Sequence, residues 1–172
     1  MAIVTHQPTG TRTTDPDAVR QLLEQHGVVY ERWDISRLQS RPCPEGVAIE
    51  DHILDVFAPE VKAVSEQRGY RTADVVALKP EMPNLDELLR KFEPEHTHSE
   101  DEVRFTVAGR GVFSIRGQDG DMYDVEVHPG DLLAVPEGTR HAFTLCEDRH
   151  IQCIRLFTDT SGWVAHYVDE SA

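Results

Sequence analysis

The sequence predicts a mainly β protein with an α-helical N-terminal part. Before residue 92, several segments place apolar residues at helical spacing. From about residue 95, apolar and polar residues alternate in short runs separated by Gly, Pro and Asp turns. No helical segment interrupts these runs, which favours an antiparallel sandwich or barrel over a parallel sheet. With 172 residues, the chain is long enough for one domain with a single sizeable core.

The N-terminal part is predicted to contain three helical segments and two strands. Asp15, Pro16 and Asp17 form a helix start, and Gly27 is placed to end that helix. In the second helical segment, Pro59 should divide or kink the helix and Gly69 should end it. The other elements expected here are a strand over residues 28–33, the second helical segment over 49–67, a strand over 72–78 and a helix over 84–92, whose Leu85, Leu88 and Leu89 face the core.

The C-terminal part is predicted to contain six strands. Residues 103–107 and 112–115 are expected to form a hairpin around the turn at 108–111. Further strands are expected at 123–127, 132–135, 141–145 and 151–157, separated by turns at 117–121, 129–131 and 136–139. We expect one domain over residues 1–172, in which an α-rich front of about 1–92 packs on a core barrel of about 93–168.

Composition excludes several classes of partner. Asp plus Glu number 31 against 17 Lys plus Arg, which gives a formal net charge of −14. This charge repels nucleic acid and anionic membranes, so we expect neither as a partner. Residues 1–10 lack a basic start and an apolar run, and no segment approaches the ~20 apolar residues of a membrane span. The three cysteines lack CxxC spacing, which suits a reducing compartment. We therefore expect a soluble, cytoplasmic protein, and a monomer, because nothing in the chain demands a partner subunit.

One short segment carries the pattern of a metal site. His96 and His98 are one residue apart and share one side of an extended strand, and Glu102 keeps the same parity. Two imidazoles and a carboxylate suit a first-row transition metal better than calcium or magnesium. If His141 completes the set, four protein ligands leave two positions of an octahedral ion free for chemistry.

Two motifs around these residues resemble those of the cupin superfamily. His96-x-His98-x3-Glu102-x6-Gly109 is similar to the first cupin motif. Gly130-x5-Pro136-x-Gly138-x2-His141 is similar to the second. Arg90 and Leu145 replace a glycine and an asparagine common in these motifs, but neither position supplies a ligand. The resemblance implies a jelly-roll-like, double-stranded β-helix barrel with His96, His98, Glu102 and His141 as metal ligands.

The run from Glu95 to Phe105 (EHTHSEDEVRF) resembles one family more closely, the acireductone dioxygenases of methionine salvage. The similarity extends over about residues 51–157 and includes the segment GYRTADVV that begins at Gly69. It implies an oxygen-dependent enzyme that cleaves the acireductone 1,2-dihydroxy-3-oxo-5-(methylthio)pentene. It also implies one divalent transition metal per chain, Fe(II) or Ni(II), with Co(II) or Mn(II) as alternatives. In this family Fe(II) gives 4-methylthio-2-oxobutanoate and formate, whereas Ni(II) gives 3-(methylthio)propanoate, formate and CO.

The resemblance and the chemistry of an enediolate assign roles to nearby residues. Two roles are open for Arg104: the catalytic counter-ion of the anionic substrate, or a group that only neutralises Glu102 or another buried acid. Arg155 is a second cation for the substrate or for a ligand carboxylate. The remaining predictions are Phe105, Phe143 and Trp163 as apolar pocket walls, and Glu95 and Glu100 as groups that either orient the ligand histidines or are solvated.

Strict alternation along the strand would point Phe105 away from Glu102, which is in tension with its predicted pocket role. Two other functions fit the same motifs. One is a different cupin enzyme, such as a sugar-phosphate isomerase or another dioxygenase, which would have a pocket richer in Lys and polar groups. The other is a non-catalytic cupin binding module, which the loss of a ligand would favour.

Overall fold

The computed structural model describes residues 1–158 and 164–168, and this part contains five helices and twelve strands. The helices are α1 (Pro16–Gln25), α2 (Ser36–Ser40), α3 (Ile49–Val56), α4 (Ala58–Arg68) and α5 (Leu85–Phe92). The strands are β1 (Ile3–His6), β2 (Arg12–Thr13), β3 (Val29–Arg32), β4 (Thr72–Leu78), β5 (His96–Thr97), β6 (Glu102–Gly109), β7 (Gly111–Arg116), β8 (Met122–Val127), β9 (Asp131–Val135), β10 (His141–Leu145), β11 (Ile151–Phe157) and β12 (His166–Tyr167).

The strands form two antiparallel sheets that pack against each other. One sheet has seven strands in the order β12-β5-β10-β7-β8-β1-β2, and the other has five in the order β3-β9-β6-β11-β4. A buried cluster between them, which we call the inner core, combines Phe113 and Ile115 of the first sheet with Leu133 and Cys153 of the second. The predicted mainly β, jelly-roll-like fold is confirmed, although the two sheets do not close into one continuous barrel within the described residues.

Helices α3 and α4 of the N-terminal part cover the outer face of the five-stranded sheet. Ile53, Val56 and Phe57 from the α3–α4 region pack against Val103 and Phe105 of β6. This second cluster, which we call the outer core, leaves the opposite face of β6 free to turn towards the seven-stranded sheet. Alternation along β6 therefore separates two environments, because successive side chains of a strand point to opposite faces.

Local sequence signals explain where the predicted helices begin and end. The Asp15 carboxylate accepts a hydrogen bond from the backbone N–H of Ala18 at 2.9 Å and caps α1. The second helical segment divides at Phe57 into α3 and α4, with Pro59 in the first turn of α4. Gly69 ends α4 with a φ of 80°, a left-handed conformation that suits glycine. These three boundaries confirm the sequence prediction.

The predicted hairpin between the strands that flank residue 110 is wrong. β6 pairs with β9 and β11, whereas β7 pairs with β8 and β10 in the other sheet. The turn at Gly109 therefore carries the chain from one sheet to the other. A glycine is required there because φ is 70° and an added Cβ would overlap the carbonyl oxygen of His150.

Several short elements escaped the sequence analysis. Strands β1, β2, β5 and β12 and helix α2 have two to five residues each, too short for a periodic pattern. Strand β1 nevertheless contributes the fully buried Val4 to the inner core. Among the described residues, no helix has the length and apolarity needed to cross a membrane.

Candidate metal centre

Four side chains that can bind a metal converge between the two sheets. Their ligating atoms all lie within 4.8 Å of one another. His96 (β5) and His141 (β10) are paired across the seven-stranded sheet, and Glu102 begins β6 of the other sheet. His98 lies in the short loop between β5 and β6. The structure thus brings together all four residues that the sequence motifs single out.

Backbone carbonyls orient the three imidazole rings. The Nδ1 atoms of His96, His98 and His141 lie 2.7 Å, 3.1 Å and 2.8 Å from the carbonyl oxygens of Pro94, Val164 and Thr139. A protonated Nδ1 that donates to its carbonyl leaves Nε2 with a lone pair for a metal ion. This arrangement presents the ring nitrogens as ligands in the correct tautomer.

The charge state of the cluster also suits a metal. Burial lowers the pKa of His96 and His98, which favours the neutral imidazole that binds metals. Burial by itself would raise the pKa of Glu102, but Arg104 and His141 outweigh it and hold that pKa below its usual range. Glu102 is therefore a carboxylate, and His96 and His98 favour the neutral imidazole. Burial alone would lower the pKa of His141, but the neighbouring Glu102 outweighs it and raises that pKa in the absence of a metal.

Two atoms of the cluster lack a hydrogen-bond partner. Oε2 of Glu102 and Nε2 of His141 are buried, point at each other and form no proper hydrogen bond within the described part of the chain. Buried polar atoms are normally satisfied, so an orphaned pair at the meeting point of four donors fits a cation between them. The donor set of three imidazole nitrogens and one carboxylate oxygen fits one divalent transition metal.

Two members of the cluster, His96 and Glu102, line a cavity of ≈ 310 Å³ and form its polar end together with Arg104 and Arg155. The other walls are mainly apolar and consist of Val76, Ala77, Leu78, Met82, Leu88, Phe92, Phe113, Phe143, Ile151 and Cys153. A smaller cavity of ≈ 90 Å³ adjoins the first and shares Phe92, Glu102, Arg104 and Arg155 with it.

Both arginines of the cavity already contact a carboxylate. Nη2 of Arg104 lies 3.1 Å from Oε1 of Glu102. The guanidinium of Arg155 donates to both carboxylate oxygens of Asp74, at 2.8 Å and 2.5 Å. Each arginine therefore faces the cavity while a neighbouring acid holds it in place.

The predicted aromatic walls are distributed differently from the expectation. Phe143 lines the cavity and packs against Phe113, with ring centroids 4.8 Å apart. Phe105 does not reach the cavity, because its side chain points to the other face of β6, as strand alternation requires. It is fully buried in the outer core, 4.4 Å from the ring of Trp33 and 4.9 Å from that of Phe57. Trp163 lies outside the described residues.

Glu95 and Glu100, which were predicted either to orient the histidines or to be solvated, have other contacts in the structure. Glu95 forms a two-point ion pair with Arg116, at 2.8 Å and 3.0 Å, which lowers the pKa of Glu95. Glu100 accepts a hydrogen bond from the backbone N–H of Thr158 at 3.0 Å. The carbonyls of Pro94, Val164 and Thr139 take the orienting role instead. A backbone carbonyl leaves no side-chain signal in the sequence, so this role could not be predicted.

Three of the cavity residues that were not predicted as part of the site come from α5 and the turn before it. Leu88 and Phe92 project from α5, and Met82 lies in the turn before it. Helical spacing placed Leu88 on the apolar face but could not distinguish a core from a cavity. Met82 has no motif around it, and only the packing of this turn near the sheet reveals its position.

With this geometry established, comparison with known proteins decides the family. Residues 11–165 match the ARD/ARD' family. The chain belongs to this family. The family suggested by the run EHTHSEDEVRF is therefore confirmed, as is the prediction of a dioxygenase enzyme with a cupin fold.

Similar proteins cover nearly the whole chain. The acireductone dioxygenase of Bacillus licheniformis is 46% identical in an alignment of 170 residues, and the match covers 96% of this chain and 94% of that protein. The one from Exiguobacterium sibiricum is 47% identical in an alignment of 170 residues, and the match covers 97% of this chain and 95% of that protein. A solved structure, an acireductone dioxygenase from Bacillus anthracis with a cadmium ion in its active centre, has a TM-score of 0.90 and 45% identity. That match covers 97% of this chain and 98% of the other.

Proposed function

We propose that this protein is an acireductone dioxygenase that cleaves 1,2-dihydroxy-3-oxo-5-(methylthio)pentene with O2 in methionine salvage. The observation that carries the proposal is the position of the four-residue cluster at the polar end of an otherwise apolar cavity. A substrate with a polar enediol head and an apolar methylthio tail matches these two ends. The near full-length similarity to acireductone dioxygenases supports the same activity.

His96, His98, Glu102 and His141 would hold one divalent transition metal, Fe(II) or Ni(II), with Co(II) or Mn(II) as alternatives. When bound, the metal supplies a Lewis acid and a template for the enediolate and dioxygen. The same four ligands suit either metal. We propose that this chain follows its family, so that Fe(II) gives 4-methylthio-2-oxobutanoate and formate, whereas Ni(II) gives 3-(methylthio)propanoate, formate and CO.

The arginine of the cavity wall stabilises the substrate anion. An enediolate in a largely apolar cavity would be costly without a cation beside it. Arg104 lies next to Glu102 and faces the cavity, so its guanidinium can bind an enediolate oxygen through parallel N–H groups. Because Glu102 belongs to the ligand set, a bound metal would share the negative charge of Glu102 with Arg104. The guanidinium of Arg104 would then be only partly neutralised and could bind the substrate anion.

The apolar walls position the tail and exclude water. Met82, Leu88 and Phe143 line the part of the cavity formed by side chains without charge. Their contact with a methylthio chain would hold the enediol end towards Arg104 and His96. Exclusion of water strengthens the electrostatic contacts of the head group, because the local dielectric constant is low.

The proposal also covers the compartment, the oligomeric state and the partners of the enzyme. The three cysteines are all free thiols, which agrees with a reducing cytoplasm. We propose a monomer, with the acireductone and O2 as its small-molecule partners. Gel filtration with light scattering would test the monomer, since a dimer would have twice the 19.4 kDa mass of the chain.

The function is tested by loading each metal separately. The protein is purified anaerobically, analysed for metal, and reconstituted with Fe(II) or Ni(II) before addition of the acireductone and O2. We expect the keto acid from the Fe(II) sample and CO from the Ni(II) sample. Absence of O2 consumption beyond the uncatalysed rate with both metals would overturn the proposal.

A further inference from the structure

Asp74 fixes the guanidinium of Arg155 by a two-point contact. Nε of Arg155 donates to Oδ1 at 2.8 Å, and Nη2 donates to Oδ2 at 2.5 Å. The two residues are direct partners in the pairing of β4 with β11, so their side chains lie on the same face of the sheet. A two-point contact holds the plane of the guanidinium as well as its position.

Arg155 is also the direct partner of Arg104, in the pairing of β11 with β6. Both arginines line both cavities, beside Glu102. Like charges opposite each other on one face of a sheet repel. Carboxylates beside the two arginines offset this repulsion, since Glu102 contacts Arg104 and Asp74 contacts Arg155. Two adjacent positive charges, on β11 and β6, therefore lie between the negative charges of Asp74 on β4 and Glu102 on β6.

Of the two carboxylates, one belongs to the candidate metal centre and the other does not. Glu102 belongs to the cluster that can hold a metal. Asp74 is outside that cluster and does not line either cavity in the described part of the chain. Its contact with the site therefore runs through Arg155, and a metal bound by the cluster would not draw on its charge.

We propose that Asp74 is a positioning residue for substrate binding. It holds the Arg155 guanidinium beside that of Arg104, so that the two cations contact two oxygen atoms of the anionic substrate head. This inference rests on the proposed function and deepens it, because it predicts that the site prefers substrates with two neighbouring oxygen anions over single carboxylates.

A purely structural ion pair would give different results from a positioning residue. The Asp74 and Arg155 side chains are 37% and 19% exposed, and partly exposed pairs contribute little to stability. A structural role would therefore change the melting temperature slightly and leave substrate binding unaltered. A positioning role would raise KM while metal content and kcat stay close to the wild-type values.

The test compares Asp74→Asn with the wild type in the metal-loaded, full-length protein. Asparagine keeps the size of the side chain but faces the guanidinium with a neutral amide. We expect KM to rise about tenfold and kcat to change less than about threefold, because the lost contact acts in ground-state binding. Asp74→Glu should restore part of the affinity, and combining Asp74→Asn with Arg155→Ala should be no worse than Arg155→Ala alone.

A matched control is the surface ion pair of Arg41 and Asp55, with a distance of 2.7 Å between Nη2 and Oδ2. Asp55→Asn removes an equivalent charge away from the cavity and should leave KM unchanged. The proposal is wrong if Asp74→Asn keeps KM within twofold of the wild type. It is also wrong if the variant loses bound metal, or if Asp55→Asn raises KM equally.

A binding measurement separates this inference from the proposed function. Titration calorimetry of the Ni(II)-loaded protein with oxalate, a dianion with neighbouring oxygens, requires no turnover. We expect Asp74→Asn to weaken oxalate binding about tenfold and to leave the weaker binding of acetate unchanged. An oxalate affinity equal to that of the wild type would overturn the positioning role, even if the acireductone is consumed. Loss of turnover in the wild type with oxalate binding intact would instead overturn the proposed function alone.

Discussion

At the scale of single residues, Arg104 contacts the candidate ligand Glu102 and also faces the substrate cavity. Its Nη2 lies 3.1 Å from Oε1 of Glu102, and its side chain lines both cavities. The sequence left two roles open, a counter-ion for the substrate and a counter-ion for Glu102, and the structure accommodates both. Arg104 is therefore the residue whose replacement best separates metal binding from turnover.

We predict that Arg104→Ala keeps its metal but loses turnover by at least about 100-fold in kcat/KM. A preorganised cation that faces developing negative charge typically contributes an effect of this size. Elemental analysis and steady-state kinetics measure the two quantities on the same sample. Arg110→Ala, which removes a surface arginine that pairs with Asp148, serves as the control and should retain full activity. Near-normal kcat/KM in Arg104→Ala would remove the substrate role.

At the scale of elements, the turns decide how the strands are divided between the sheets. The chain leaves β6 through Gly109 and enters β7 in the opposite sheet, whereas β7 and β8 form an ordinary hairpin around residues 117–121. Both turns contain glycines, so the sequence alone did not distinguish them. The distinction lies in what surrounds each glycine, since Gly109 is packed against the backbone of His150 and Gly120 has open space.

We predict that Gly109→Ala destabilises the protein by about 3 kcal/mol or more. A left-handed φ and an overlap with the His150 carbonyl both oppose a side chain, and a backbone atom cannot move aside easily. Gly120→Ala is the matched control, because it has a φ of 87° but no neighbour within 4 Å, and should cost about 1 kcal/mol. Urea unfolding measures both. Equal losses for the two variants would show that the close contact has no effect.

The β7–β8 hairpin also contains a group that makes stability depend on pH. The Tyr123 hydroxyl donates to Asp119 at 2.7 Å, and this bond, together with burial, raises the pKa of Tyr123 to about 12. An unfolded tyrosine titrates near 10. Because the folded pKa is the higher one, the stabilisation is complete below pH 10 and is lost as the pH rises towards 12.

We therefore predict that the difference in unfolding free energy between the wild type and Tyr123→Phe shrinks from pH 10 to 12. Phenylalanine has no proton to lose, so the variant provides the reference at each pH. Urea unfolding at several pH values gives the difference, and tyrosinate absorbance of the folded protein gives the titration itself. A difference that stays constant over this interval would contradict the prediction.

At the scale of the whole molecule, the candidate metal centre connects the two sheets. His96 and His141 belong to the seven-stranded sheet, and Glu102 belongs to the five-stranded one. The carbonyl oxygen of Val164, near the C-terminal end of the described chain, lies 3.1 Å from Nδ1 of His98. In addition, β12 pairs with β5 beside His96. A metal bound here would hold together segments that are distant in sequence.

We predict that Ni(II) stabilises the chelator-treated protein by about 2.7 kcal/mol when its free concentration is 100 times Kd. A ligand that binds only the folded state stabilises it by this linkage. Thermal unfolding with and without Ni(II) measures the effect. His96→Ala and His141→Ala should lose stoichiometric metal and show no rise in melting temperature. Retention of a full metal equivalent by either variant would refute the ligand set.

The sequence by itself determined the fold class, most helix boundaries, the family and the four candidate ligands. These features depend on local information, since caps, strand parity and closely spaced donors are all encoded within a few residues. Only the tertiary structure decided which strands share a sheet, that Phe105 lies in the outer core, and that backbone carbonyls orient the histidines. It also revealed the pairing of Asp74 with Arg155. The physical reason is that these features depend on contacts between segments far apart in the chain, 81 residues in the case of Asp74 and Arg155, which no local pattern encodes.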